Sequence, residues 1–88
     1  MKTLTDFKRR LTKGTLVHAY HNEYNQDMGT RPVSIVQSNA VAFRTDKGTD
    51  SWLYFPKASL FRVLGPDTAA ILDEQTGAPL ITYTFIGY

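Results

Sequence analysis

Turn-forming residues recur along this chain at intervals that leave room only for short strands. Asn22 to Thr30, Ser38-Asn39, Asp46-Lys47-Gly48, Pro56 to Ser59, Gly65-Pro66-Asp67 and Glu74 to Gly77 each separate runs rich in Val, Ile, Phe, Tyr, Trp and Thr. A parallel crossover needs about a dozen residues or more, and none of these connections supplies them. The pattern therefore predicts a mainly β (α+β) protein with antiparallel pairing throughout. The expected strands are residues 15–21, 31–38, 40–45, 50–55, 60–64, 68–73 and 79–86.

Trp52 to Val63 organises the rest. β-formers run up to Pro56, which fixes φ and cannot donate to a ladder; Lys57-Ala58-Ser59 has room for one 3₁₀ turn, and Leu60, Phe61 and Val63 resume strand character. A strand, one helical turn and a second strand form the corner that closes small SH3-like barrels. The expectation is one domain over 1–88: a short N-terminal helix, an SH3-like small antiparallel barrel over about 15–64 and a C-terminal β-hairpin over about 68–86. A simple twisted sheet with the helix on one face is the competing architecture.

The helix is read from Thr3-Leu4-Thr5-Asp6, a capping arrangement in which the Thr3 hydroxyl accepts an orphan backbone N–H. Leu4, Phe7 and Leu11 form one apolar stripe, while Lys8, Arg9 and Arg10 face elsewhere. Lys13 suits the negative end of the helix dipole and Gly14 suits a left-handed cap, so the helix is placed over 4–12. Residues 1–13 carry Lys2, Lys8, Arg9, Arg10 and Lys13 against Asp6, a net +4 in a chain of net +2. No basic residue follows Asp67, so the molecule is expected to have a positive and a negative end.

Face assignments follow from period-two alternation. Val17 and Ala19 oppose Leu16, His18 and Tyr20; Val41 and Phe43 oppose Ala40, Ala42 and Arg44; Leu53 and Phe55 oppose Asp50, Trp52 and Tyr54. Leu53 and Phe55 are placed inward, since Asp50 would otherwise be buried without a visible partner. Asn22 to Thr30 is expected to be the longest exposed loop, Pro32 to mark an edge or a strand beginning, and Gly87-Tyr88 to fray.

Few residues invite catalysis. His18, His21 and Glu23 are the one cluster suggesting a small metal-dependent hydrolase, but positions 18 and 21 of a strand point to opposite faces. There is no cysteine, no nucleophile elbow and no Gly-rich phosphate loop. The expectation is a non-enzyme without cofactor or metal. Two features suggest binding instead: the basic helix with Lys8, Arg9, Arg10 and Lys13, extended by Arg31, Arg44 or Arg62, and an aromatic rim of Trp52, Tyr54 and Tyr24 with Tyr20 nearby. Lys57 and Arg62 join Trp52 and Tyr54 on the outer side of the corner. Trp52 has two competing assignments, a roof under the Leu4, Phe7 and Leu11 stripe or an open rim position.

No apolar run reaches the roughly 18 residues of a membrane span and Met1-Lys2-Thr3-Leu4 lacks a signal-peptide core, so a soluble cytoplasmic protein is expected. Val36-Gln37-Ser38-Asn39, followed by Ser51-Trp-Leu-Tyr-Phe-Pro-Lys-Ala-Ser59, resembles small proteins of phages and other mobile elements. That resemblance implies a context rich in small non-enzymatic binders, including inhibitors of host defence proteins. Taken with the residues, it gives a binding module whose partner is a protein or a nucleic acid.

Overall fold

Hydrogen-bond register defines one antiparallel sheet of seven strands in the computed structural model, which describes residues 1–86. The expected end at Gly87-Tyr88 lies outside the described residues. Helix α1 (Leu4–Arg10) is followed by β1 (Leu16–His21), β2 (Gln26–Val36), β3 (Ala40–Arg44) and β4 (Asp50–Tyr54). A 3₁₀ turn (Ala58–Leu60) leads into β5 (Phe61–Val63), β6 (Thr68–Leu72) and β7 (Pro79–Phe85). The spatial order is β4-β3-β2-β1-β7-β6-β5, a curled half-barrel with β4 and β5 as its edges. A barrel made of the first five strands would have to pair β5 with β1; β7 occupies that place, with Val17 opposite Phe85 and Ala19 opposite Tyr83.

The curl follows from chain length. Seven flat strands would set their outermost members about 29 Å apart at roughly 4.8 Å per step. Between Tyr54 and Phe61 the chain contains a 3₁₀ turn and can reach only about 20 Å. The sheet must bend to bring its edges within reach. Pro56 and the 3₁₀ turn thus form the corner expected from the sequence, and their effect is to hold the two edges of one sheet near each other.

The segment read as a long loop is instead a strand start. Only residues 22–25 turn, with Asn25 at φ 50°, and Gln26 already pairs with His21. β2 accommodates Met28 as an extra residue between the Ala19–Gly29 and Tyr20–Asp27 pairs, and Gly29 takes φ 82° beside it. Pro32 sits inside β2, not at an edge or a strand beginning. Its pairing with Leu16 ends the β1 register, and pairing with β3 begins at Val33. The Val33 N–H points to Thr15 O on the β1 side, so the donor that proline lacks falls on the side where β3 pairing has not yet begun.

The core fills the concave face. Phe7, Leu11, Val17, Val33, Val41, Phe43, Ala69, Tyr83 and Phe85 form its buried cluster, with Leu53 and Phe55 packed against it. The faces assigned to β4 are thus correct. Helix α1 begins as expected: Asp6 N–H donates to Thr3 Oγ1 at 3.2 Å and the Thr3 N–H to Asp6 Oδ2 at 3.3 Å. It ends earlier than expected, at Arg10, with the Leu11 N–H turning back to Lys8 O; Gly14, at φ 92°, belongs to the following turn.

Candidate functional site

β4 is an edge strand whose side chains alternate between the core and the convex surface. Trp52 and Tyr54 project outward and stack on each other, ring centroids 6.5 Å apart at 25°. Their exposures of 40% and 69% decide the question left open by the sequence. The helix stripe lies elsewhere: Phe7 packs on Phe61, Phe85 and Tyr83 at centroid distances of 5.1, 5.6 and 6.0 Å. Trp52 is therefore a rim residue.

Behind these rings the convex face is apolar and tightly shaded. Ala40 and Ala42 are opposite Tyr54 and Trp52, and Ile35 is opposite Ala42. Both alanines are fully buried although they face outward, because larger neighbours on the same face cover them. Alternation alone assigned them to the solvent side. At the other end of the face Asp50 Oδ1 receives Ser34 Oγ at 2.8 Å and Arg44 Nε at 3.1 Å. The aromatic strip is thus bordered by a neutralised ion pair.

The basic residues are dispersed. Arg10 donates to Pro66 O at 2.9 Å and to Asp67 Oδ1 at 2.8 Å, with its guanidinium 4.2 Å from the Phe85 ring centroid. This clamp fastens the positive segment to the acidic one and withdraws Arg10 from a contact surface. Lys8 Nζ lies 4.9 Å from the Phe55 centroid. Arg9 and Lys13 are exposed on or just after the helix, Lys57 just beyond Pro56, and Arg62 on edge strand β5. Arg44 is held by Asp50, and Arg31 lies opposite Val17 on the concave face, so neither extends a basic patch.

Tyr24 does not join the Trp52 rim. It sits in the β1–β2 turn stacked on His21, centroids 4.5 Å apart. Gln26 at that end of β2 and Ile35 beside the Trp52 strip are separated by roughly 30 Å of strand. His18 Nε2 is 2.8 Å from Asp27 Oδ1, which also accepts the Gly29 N–H at 2.7 Å. The Gly29 amide first, and His18 second, hold the Asp27 carboxyl below its usual range. His18 and His21 thus have different neighbours on opposite faces, and Glu23 is exposed in the turn between β1 and β2. Among the described residues no group of three His, Cys, Asp or Glu side chains is placed to hold a metal ion.

The sequence reading missed a hollow on the concave face. Ala19, Gly29 and Ser51 contribute little bulk there, and Val17, Met28, Arg31, Phe43 and Tyr83 wall a cavity of about 40 Å³. Its residues come from β1, β2, β3, β4 and β7, so no local pattern shows it. Burial pushes the Tyr83 phenol up to about 12. No helix among the described residues is long and apolar enough to cross a membrane. No protein-family model, no curated protein and no solved structure matches the chain.

Proposed function

We propose that this chain is a non-enzymatic binding module that takes an extended segment of a partner protein along the β4 edge, with Trp52 and Tyr54 as anchors. The observation that carries the reading is the pair of uncovered, mutually stacked rings on an unpaired edge strand. An open edge offers backbone donors and acceptors, and side chains two residues apart on one face supply specificity. The Asp50–Arg44 pair beside the rings leaves the strip without excess positive charge, which favours an apolar protein segment over a phosphate backbone. Exposed Arg9, Lys13 and Lys57 serve as a polar rim, and Arg62 and Tyr24 stand outside the contact. In its finer form the reading treats Asp50 to Val63 as an SH3-like corner and residues 68–86 as a C-terminal hairpin supporting it. The biological setting proposed is the phage or mobile-element one, with a cytoplasmic host defence protein as the inhibited partner.

The test is affinity capture from nuclease-treated lysate with the intact chain and with a Trp52→Ala/Tyr54→Ala variant whose thermal unfolding is unchanged. Loss of a captured protein by tenfold or more is expected. Equal capture by the variant removes β4 from the account. Binding to single-stranded nucleic acid, with a log-log salt slope of about −3, would transfer the function to the alternative partner class.

A further inference from the structure

We infer that the concave hollow is a binding site for a small monocarboxylate, with Arg31 as its charge partner and Tyr83 as a second donor. Arg31 occupies a position on β2 that alternation aims inward, opposite Val17. Its Nε donates to Met28 O at 3.1 Å, a bond that orients the guanidinium from the bulge of β2. The two Nη groups, the fork that grips a carboxylate through parallel hydrogen bonds, have no carboxylate partner among the described residues. Arg31 is the single charged residue lining the hollow.

Tyr83 supplies the second donor. Its side chain is 6% exposed and lines the same hollow. Its phenol O–H is a donor on the wall of the hollow, able to reach a group standing there. Ser51, opposite Phe43 on the inner face of β4, adds a second hydroxyl-bearing wall. The remaining walls, Val17, Ala19, Met28 and Phe43, are apolar. One water needs about 10–15 Å³ of such space, so about 40 Å³ admits a group of roughly three heavy atoms, the size of a carboxylate. Apolar walls beside it suit a short aliphatic chain. This site lies on the opposite face from the Trp52 strip and does not depend on it.

The experiment is an amide chemical-shift titration of the intact chain at constant ionic strength with sodium propionate, propionamide and sodium phosphate. Saturable propionate shifts confined to Ala19, Gly29, Arg31, Ser51 and Tyr83 are expected, with propionamide and phosphate at least tenfold weaker. Arg31→Gln should weaken propionate tenfold or more, and Arg9→Gln should leave it unchanged. Tyr83→Phe keeps the ring and should weaken it several-fold, which decides the matter if Arg31→Gln fails to fold. Non-saturating shifts, equal response to propionamide or phosphate, full affinity in a folded Arg31→Gln, or, where Arg31→Gln fails to fold, full affinity in Tyr83→Phe would overturn the assignment.

Discussion

Tyr83 is the side chain whose titration the fold alters most. Burial favours the neutral phenol, so its folded value of about 12 exceeds the unfolded value of about 10. The folded state then holds the proton longer than the unfolded state does. The associated stability is complete below pH 10 and is lost as pH rises towards 12, by an amount on the order of 2 to 3 kcal/mol. Alkaline titration of phenolate absorbance should show a late step that disappears in Tyr83→Phe; its absence from the folded wild-type protein would contradict the burial. Trp52→Ala, by contrast, should cost about 1 kcal/mol or less in urea unfolding, since the ring covers alanines without entering the core. A loss comparable to that of a core aromatic would mean the ring supports the sheet. The outward setting of Trp52 was legible because strand alternation and the polarity of Asp50 agree. The inward setting of Arg31 was not: an arginine facing a cavity contradicts the usual sorting by polarity, and register with Val17 reveals it.

At the scale of elements, helix α1 is the best-specified piece and also the most dependent. Its cap is written in four consecutive residues, so its start could be read directly. Removing the cap by Thr3→Ala should cost about 1 kcal/mol. Phe7→Ala should cost about 3–5 kcal/mol, because that ring is fully buried among three aromatics from β5 and β7. Chemical denaturation of both variants tests the ranking, and similar losses would show that the helix rests on the sheet without plugging it. The start of β2 was illegible for a physical reason: Gln26, Asp27 and Gly29 have weak strand preference. Pairing with β1, and the bulge that Gly29 permits, impose the strand from outside. β3 was half legible, since Val41 and Phe43 mark the core but nothing local shows that Ala40 and Ala42 are covered from the other side.

On the scale of the whole molecule, antiparallel class and strand content followed from connection lengths, whereas the order of strands did not. Pairing β7 with β1 is a contact between the two ends of the sequence, and the Arg10–Asp67 clamp is another; neither leaves a trace in spacing. Acidification offers a global test of three carboxylates that accept backbone N–H bonds. Asp6, Asp27 and Asp73 are each lowered by backbone N–H donors, Asp6 chiefly by the Lys2 amide and Asp73 by that of Thr76. Their folded values lie below their unfolded ones, so stability is present above the unfolded carboxylate range and declines as pH falls through the folded values. Midpoints in urea should drop below about pH 4, and a flat profile there would dissociate these carboxylates from global stability.

The strand order also divides the chain into two locally wired halves. Within β1 to β4 and within β5 to β7 each ladder joins sequence neighbours, and among the described residues the β1–β7 register is the one ladder between the two sets. Loop closure makes such a long-range ladder the slowest to acquire, so it acts as a kinetic seam between two meanders that can form early. Substitutions across it, such as Ala19→Gly, are expected to speed unfolding more than they slow folding, and φ-values near one would place the seam in the nucleus instead.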